Sequence, residues 1–440
     1  MSETTAADSP DKQPAQMNAT SYDASHIHVL QGVDAMRKRP GMYIGSTGVR
    51  GLHHMVYEAI DRSVHEVLAG HADSIDVTLT ADGAVRITDN GCGIPVAVDG
   101  ATGTSYLESA LTEPSFGTRS GTGYDIQCGM YGIGISVVNA LSSRLAVEVR
   151  REGFRWSQEY ARGVPIAPPA RHEATTAHGT TVTFWADADV FETTHCSGST
   201  LWQRFQELAH LIRGLSISFT DERTGDDEAG QGTVHEVCRG GLRDFVSLLD
   251  SQEGEPTQEG NAAQEGNAAH AGVIGFMEED PGRTVSVEVA LQWNTSAQDR
   301  VRSFANTHPT HEGGTHEQGF LAALAALVDT RARERRLLPE HGEALSGDDV
   351  RAGLTAVVSV MHRDPRFEGA TRTRLANADV YTYVEKAVRA HLTDWLDNHP
   401  EEADVILRHV IATALARKAS GRDDVPARRG DACHRSTPGA

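Results

Sequence analysis

Residues 53–95 read HHMVYEAIDRSVHEVLAGHADSIDVTLTADGAVRITDNGCGIP, and the hydrophobic period changes within this stretch. From His53 to Ala69 apolar side chains recur at helical spacing, which predicts one long helix. The residues after it alternate between polar and apolar, and Asp82-Gly83 divides them into the two strands of a hairpin. The segments LAVEVRREG and GTTVTFWAD predict further strands. Helices mixed with an antiparallel sheet indicate an α+β fold.

The second half of the chain predicts a separate domain. It is expected to begin at HEVCRGGLRDFVSLL, which gives domains at 21–233 and 234–420. GLTAVVSVM is a continuous apolar run typical of a buried strand. QEGNAA occurs twice in tandem and predicts a low-complexity surface insert near 252–271. Residues 1–20 and 421–440 are expected to be disordered tails.

The composition is that of an ordinary soluble protein, with 39% hydrophobic and 23% charged residues. No apolar run approaches the roughly 18 residues of a membrane-spanning helix, so no membrane contact is expected. The polar start lacks the basic and apolar regions of a secretory signal, and a cytoplasmic protein is expected. The five cysteines are scattered without a C-x-x-C pair, which argues against a disulfide frame or a zinc ribbon.

The formal net charge of −21 limits how the chain could bind nucleic acid. An acidic protein gains nothing overall from the electrostatic attraction that dominates affinity for DNA. Any contact with DNA therefore requires a local basic surface or a partner protein. The run RARERR (331–336) is one candidate surface, and a solvated helix face is an equally good interpretation.

Two acidic residues on the predicted long helix are candidates for catalysis. Glu58 and Asp61 lie one turn apart, so their carboxylates face the same way. A carboxylate in this position can orient and deprotonate an attacking water molecule. The alternative is a solvated acidic helix face, which these two residues alone favour.

Three further segments suggest a nucleotide site, although each is weak alone. DNGCGIP (89–95) places Asp89 after a strand, where it can accept a hydrogen bond from an exocyclic amine beside Gly91 and Gly93. CGMYGIGIS (128–136) places glycines before a helix, where backbone N–H groups suit phosphate. GTTVTF (179–184) adds a threonine-bearing strand. No G-x-x-x-x-G-K-[ST] occurs, so this is not a P-loop protein.

The four segments occur in the order found in the GHKL ATPase superfamily, and the sequence resembles one family within it. SYDASHIHVLQGVDAMRKRPGMYIGSTGVRGLHHMVYEAID, SFANTHPTHEGGTHEQGF and GDDVRAGLTAVVSVMHRDPRFEGATRTRL are similar to the amino-terminal region of the DNA gyrase B family. The resemblance extends from about Ser21 to Lys418. It implies a GHKL α/β sandwich followed by a ribosomal-protein-S5-like transducer domain.

The resemblance implies a role for each matching residue. Glu58 would be the general base, Asp89 would bind the adenine amino group with help from Thr180, and Met130 to Ser136 would surround the triphosphate. Arg151 stands at the pocket rim, where aminocoumarin antibiotics bind in the family. The implied nucleotide-binding residues are Tyr22, Asp61, Arg62, Asp89, Gly91, Gly93, Ile94, Pro95, Gly129, Met130, Tyr131, Gly132, Ile133, Gly134, Ile135, Ser136, Arg151, Thr180 and Arg372.

The resemblance also implies cofactors and partners. ATP would be the nucleotide, with Mg²⁺ expected for the family. Two copies would dimerise through the amino-terminal arm, with Tyr22 reaching the partner's nucleotide. A gyrase A-type protein and DNA would be further partners. Ala370-Thr371-Arg372 stands where the family has Gln-Thr-Lys, a loop that touches the γ-phosphate.

Departures from the family pattern are concentrated in the implied site. Arg62 replaces the Asn that binds Mg²⁺ in the family, and a guanidinium has no lone pair to offer a metal. No metal ligand is therefore assigned, and Arg62 could instead neutralise phosphate charge directly. Cys92 replaces an Arg that pairs with the acid matching Glu66, so that acid is left without a partner unless His65 or a nearby Arg serves.

Other departures affect the phosphate loop and the cleavage function. Ser115 or Thr118 and Asp125 stand where the family has lysines, and Tyr131 replaces a His. The family's metal-binding acids for DNA cleavage do not occur in this sequence, so cleavage by this chain alone is not expected.

Three functions follow as hypotheses. The first is the ATPase portion of a gyrase B-type DNA topoisomerase, dimerising on nucleotide to gate DNA passage. The second is a catalytically weakened paralogue that binds nucleotide and regulates or competes with an intact gyrase. The third, a histidine kinase, is excluded, since no phosphoacceptor-histidine helix precedes the site.

His308, His311 and His316 have near-metal spacing but lie in a stretch that the family has without a metal.

Overall fold

The computed structural model describes residues 32–113, 134–223, 233–251, 272–282, 284–294, 299–339, 341–369 and 371–419. Some predictions from the sequence lie outside these ranges. They concern Tyr22, Gly129 to Ile133, Ser115, Thr118, Asp125, Ala370, the insert near 252–271 and both predicted tails.

The helices and strands of the described residues alternate along the chain. The helices are α1 (Gly32–Lys38), α2 (Gly41–Ile44), α3 (Val49–Leu68), α4 (Tyr106–Thr112), α5 (Ile135–Ala140), α6 (Gly198–Leu211), α7 (Leu242–Ser251), α8 (Thr315–Glu334), α9 (Gly347–Arg351), α10 (Ala378–Asn398) and α11 (Pro400–Ala419). The strands are β1 (Ser74–Leu79), β2 (Val85–Asp89), β3 (Ser142–Arg151), β4 (Phe154–Ala161), β5 (Val164–Pro165), β6 (Ala170–Ala174), β7 (Gly179–Ala186), β8 (Ser216–Asp221), β9 (Thr233–Val237), β10 (Ile274–Glu279), β11 (Val285–Trp293), β12 (Arg300–Ala305), β13 (His308–Pro309), β14 (Leu354–His362), β15 (Phe367–Glu368) and β16 (Arg374–Leu375).

The first sheet contains nine strands in the described part of the chain, in the order β5-β4-β3-β7-β2-β1-β8-β9, with β6 beside β4. β1 and β2 form the predicted antiparallel hairpin, in which Ile75 pairs with Asp89. The predicted long helix is α3, which begins four residues before His53 and ends at Leu68. Its apolar side chains Met55, Val56 and Ile60 are buried in the core against the sheet. The predicted α+β class is confirmed.

The second sheet contains five strands among the described residues, in the order β10-β11-β14-β12-β13. Helices cover both of its faces. Phe245 of α7 packs with Ala290 and Val357 on one face, whereas Phe320 of α8 belongs to the core on the other face. Because both faces are covered, β14 is apolar along most of its length, as GLTAVVSVM predicted.

The predicted boundary between the two domains falls a few residues too early. β9 pairs antiparallel with β8, so residues 234–237 belong to the first sheet. The apolar signal of FVSLL, which does mark the second unit, begins only with α7 at Leu242. The other domain limits remain predictions. Within the described ranges, no helix has the length and apolar character needed to cross a lipid bilayer.

Candidate functional site

Glu58 lies on the buried face of α3, with 3% of its surface exposed. The N–H of Gly134 donates to its Oε2 at 3.3 Å. Nε2 of His54, one helical turn earlier, lies 3.4 Å from Oε1. Gly134 has a φ of 70° immediately before α5, a conformation that glycine adopts without strain. This end of the candidate site therefore joins α3 to the start of α5.

Arg372 reaches Glu58 from the second half of the chain. It lies between β15 and β16 with a φ of 55°, and its side chain is 9% exposed. Nη2 donates to both carboxylate oxygens of Glu58, at 3.0 and 3.2 Å. Nη1 donates to Oδ2 of Asp61 at 3.2 Å and to Nε2 of His308. One guanidinium therefore holds two acids of α3 and a histidine of β13.

The two acids compete for this guanidinium, and their pKa values move apart. Burial opposes ionisation of Glu58, but Arg372, His54 and the Gly134 N–H lower its pKa to about 2. Burial raises the pKa of Asp61 to about 6, with Arg372 opposing the rise and Glu58 adding to it. Glu58 is thus the ionised carboxylate, and Asp61 is the group that retains a proton more readily.

Two histidines beside this cluster favour the neutral form. Burial, followed by the charge of Arg372, lowers the pKa of His308 well below its ordinary value. The same two causes, with Arg62 adding to them, lower the pKa of His65 to about 4. A neutral His308 can accept the hydrogen bond that Arg372 donates.

Asp89 defines the opposite end of the candidate site, at the end of β2. It is 3% exposed. Oγ of Ser63 donates to its Oδ2 at 2.9 Å. The N–H groups of Gly91 and Thr180 donate to its Oδ1 at 3.0 and 3.2 Å. Three donors from three elements therefore fix the orientation of this carboxylate.

Thr180 connects Asp89 to the turn that follows it. Its Oγ1 accepts from the N–H of Ile94 at 3.2 Å. Gly93 has a φ of +77°, and a Cβ there would come within 3.0 Å of the carbonyl oxygen of Arg150. Glycine is favoured at this position, because another side chain would be strained at this φ and its Cβ would crowd the end of β3.

Arg151 contacts the same turn from the rim predicted by the sequence. Its Nη1 donates to the carbonyl oxygen of Gly93 at 2.7 Å and to that of Cys92 at 3.4 Å. The structure therefore places Gly91, Gly93 and Ile94 together with Asp89, Thr180 and Arg151. Of the predicted phosphate loop, Gly134, Ile135 and Ser136 are described, and the last two are buried.

Arg62 extends toward the Asp89 end of the site. Its Nη2 donates to Oγ1 of Thr180 at 3.0 Å, and its Nη1 donates to Oε1 of Glu66 at 3.2 Å. The N–H of Cys92 donates to the other oxygen of Glu66 at 3.0 Å. Glu66 therefore has the nearby arginine partner that the sequence left open, and that partner is Arg62. The predicted contact of Arg62 with phosphate remains a prediction.

The chain is similar to known protein families and to solved structures. Residues 47–190 match the histidine kinase-, DNA gyrase B- and HSP90-like ATPase family, and residues 241–424 match the DNA gyrase B family. The solved 43K ATPase domain of Thermus thermophilus gyrase B, in complex with an aminocoumarin, is similar with a TM-score of 0.69 and 32% identity. The match covers 88% of this chain and 96% of that one.

This chain belongs to the DNA gyrase B family. The DNA gyrase B protein of Streptomyces coelicolor is 52% identical over 96% of this chain and 62% of its own length. The novobiocin-sensitive and novobiocin-resistant gyrase B proteins of Streptomyces niveus are 49% and 48% identical, each again over 62% of its own length. The chain thus spans somewhat less than two thirds of these gyrase B relatives.

The described residues of this gyrase B-family site do not fit a Mg²⁺ ion. Mg²⁺ requires oxygen ligands in nearly octahedral geometry. Arg62 offers only donors, and the carboxylates of Glu58 and Asp61 both accept from Arg372. We therefore assign no catalytic step to this ion.

Sequence reasoning missed three residues that contribute to the site. His54 could have been found, because it precedes Glu58 by four positions on a helix. Ser63 gave no local signal, and the near-metal spacing of His308 did not indicate its contact with Arg372, because the partners Asp89 and Arg372 are distant in sequence. His316, the third histidine with near-metal spacing, is buried and hydrogen-bonded to Thr310.

The basic run at 331–336 lies at the end of α8, where acidic residues partner three of its arginines. Arg331 pairs with Asp397 at 2.6 Å, Arg333 with Asp329 at 2.7 Å, and Arg335 with Asp404 at 3.4 Å. Their charge is thus largely neutralised within the protein. This favours the interpretation of a solvated helix face over a DNA-binding surface.

Proposed function

We propose that this chain binds ATP as the ATPase and transducer portion of a gyrase-type DNA topoisomerase. The observation that carries the proposal is the fixed orientation of Asp89. Its buried carboxylate is held by Ser63, Gly91 and Thr180, beside a turn in which glycine is favoured. An oriented carboxylate accepts the exocyclic amine of adenine, and the glycine turn lets a flat base approach the backbone.

Hydrolysis requires Glu58 to accept a proton from the attacking water. With a pKa of about 2 it is ionised at neutral pH, as a general base must be. Both its oxygens, however, already accept from Arg372. We infer that the γ-phosphate draws Arg372 away and thereby frees Glu58. In this scheme nucleotide binding changes a contact of the second half of the chain, because Arg372 lies between β15 and β16.

A second candidate function is a weakened paralogue that binds nucleotide and regulates or competes with an intact gyrase. Arg62 favours it. The guanidinium donates a hydrogen bond to Oγ1 of Thr180. It places a positive charge on this face of α3 and supplies no oxygen ligand for Mg²⁺. Base binding through Asp89 is compatible with this arrangement. Efficient phosphoryl transfer is less compatible with it, since the family stabilises the transition state with Mg²⁺ and the guanidinium offers that ion no ligand.

The remaining partners are proposed from family membership. Because the chain belongs to the DNA gyrase B family, we propose a homodimer formed through the amino-terminal arm, with a gyrase A-type protein and DNA as further partners. Tyr22 and the rest of the arm lie outside the described residues. A cytoplasmic location is proposed on the same grounds.

Calorimetric titration with ATP tests the proposed function. Wild type is expected to bind one ATP per chain. Asp89→Asn is expected to lose binding, because the amide replaces one of the two accepting carboxylate oxygens with an NH2 donor. Asp99→Asn makes the same chemical change on an exposed turn and serves as the control. Equal ATP affinity in wild type and Asp89→Asn would show that Asp89 does not bind the base.

A further inference from the structure

Glu66, His71 and Cys92 form a cluster beside the turn that follows β2. One ligand atom of each residue, a carboxylate oxygen, Nδ1 of the imidazole and Sγ of the thiol, lies within 4.8 Å of the other two. Nδ1 of His71 is 3.7 Å from Oε2 of Glu66. We refer to these three residues as the Glu66 cluster.

The end of α3 fixes the first two members. Gly70 follows the C-cap residue of the helix and has a φ of +74°. The N–H of His71 donates to the carbonyl oxygen of Glu66 at 2.9 Å, and the N–H of Gly70 donates to that of Val67 at 2.9 Å. This pair of bonds is a Schellman motif, which turns the chain back over the last helical turn. His71 is therefore brought beside Glu66 by backbone geometry.

The third member is fixed from the other side. The N–H of Cys92 donates to Oε2 of Glu66 at 3.0 Å, and Sγ of the same residue lies within 4.8 Å of the ligand oxygen of Glu66. A Cβ at Gly91 would come within 2.7 Å of Oε2, which shows how closely this turn packs on Glu66. The cluster is thus already assembled, and an ion would not have to order it.

The cluster is accessible and its ligand types suit one class of ion. The His71 side chain is 39% exposed, and Cys92 is also exposed. Imidazole nitrogen, thiolate sulfur and carboxylate oxygen together suit Zn²⁺, whereas Mg²⁺ and Ca²⁺ take oxygen ligands. Arg62 donates to Oε1 of Glu66, and the other oxygen, Oε2, is the one that lies near His71. Such a partner orients a ligating carboxylate.

We propose that Glu66, His71 and Cys92 bind a Zn²⁺ ion, with the fourth position of the tetrahedron left to water or an external ligand. The carboxylate and the thiolate balance the charge of the ion, and binding releases the thiol proton. The site stands apart from the proposed catalytic cluster of Glu58, Asp61 and Arg372. The proposal rests on the geometry of its own ligands and not on the proposed function, although Glu66 and Cys92 contact Arg62 and Arg151 of the proposed nucleotide site.

Titration of the metal-free full-length protein with Co²⁺ and then Zn²⁺ tests this site. Co²⁺ bound to a thiolate gives a charge-transfer absorption band, and one equivalent of Zn²⁺ is expected to remove it. Cys92→Ser is expected to abolish the band. His71→Ala is expected to weaken binding by more than about tenfold, since even residues that only support a ligand contribute that much.

Matched variants keep the test decisive. Cys433→Ser removes a different thiol, and His172→Ala removes an exposed histidine on β6, so neither is expected to change the titration. Zn²⁺ is also expected to raise the unfolding temperature of wild type and of both controls, but not that of Cys92→Ser. A cobalt–thiolate band that survives in Cys92→Ser, or one that disappears in Cys433→Ser, would overturn the assignment.

Discussion

Nη2 of Arg372 donates to both carboxylate oxygens of Glu58, although the two residues are 314 positions apart in the sequence. The arginine belongs to the hairpin of β15 and β16, and the acid belongs to the long helix of the first sheet. The pair is nearly inaccessible to water, with side chains 9% and 3% exposed. The ion pair therefore joins the two halves of the chain, and Arg372 shields Glu58, the candidate general base, from water.

Removing this link is expected to destabilise the protein. Arg372→Ala leaves Glu58 and Asp61 buried without their shared cation, and breaking a buried ion pair costs about 3–5 kcal/mol. Arg374→Ala is the matched control, because Arg374 lies two residues away and pairs with Glu368 at the surface. It is expected to cost less than about 1 kcal/mol. Chemical denaturation gives both values, and equal losses would show that the buried pair contributes no more than the exposed one.

The raised pKa of Asp61 predicts a pH-dependent stability. The folded protein binds a proton at Asp61 more tightly than the unfolded chain does, because burial raises this pKa from 3.8 to about 6. The resulting stabilisation is fully present below the unfolded value and is lost as pH rises through the folded one. Asp61→Asn is neutral at every pH and keeps an oxygen that accepts from Arg372.

This variant is therefore expected to unfold at a higher temperature than wild type at about pH 8, by roughly 2 °C or more, and at a similar temperature near pH 4. Differential scanning calorimetry at the two pH values gives the comparison. A difference between the proteins that does not change with pH would mean that Asp61 has an ordinary pKa in the folded state.

Local patterns in the sequence were sufficient for the elements that carry the site. Helical spacing predicted α3 with Glu58 and Asp61 on one face, and alternation with Asp82-Gly83 predicted the hairpin that ends at Asp89. Both signals lie within short windows, because helices and hairpins are formed by neighbouring residues. The predicted contact of Arg372 with the γ-phosphate came only from resemblance to the family, and it remains a prediction.

The contacts that define the site either join residues distant in sequence or depend on a particular local backbone conformation, and the sequence did not show them. Arg62 turns toward Thr180, which is 118 positions later. His71 comes beside Glu66 only because Gly70 closes the helix in a left-handed conformation. The early domain boundary has a related cause, since β9 is assigned by its pairing with β8 and not by its own residues.

The amino-terminal arm is expected to control dimerisation. A chain lacking residues 1–30 should remain monomeric at any concentration of a non-hydrolysable ATP analogue, whereas the full chain should dimerise with it. Nucleotide that binds only the dimer shifts the equilibrium by mass action. Sedimentation velocity distinguishes the two states. If the truncated chain still forms nucleotide-dependent dimers, the amino-terminal arm is not what holds the two copies together.

Steady-state ATP hydrolysis, measured with Mg²⁺ and then with a chelator, tests most directly the claim that Arg62 weakens Mg²⁺-dependent turnover at this site. Wild type is expected to bind ATP under both conditions and to turn over slowly under both. Arg62→Asn, alone or with His65→Asp, supplies an oxygen ligand and is expected to hydrolyse ATP with Mg²⁺ about a hundredfold faster or more. Arg86→Asn, at an exposed position of β2, is the control and should behave as wild type does. Rapid wild-type turnover that is abolished by chelation and unaffected by Arg62→Asn would contradict this account.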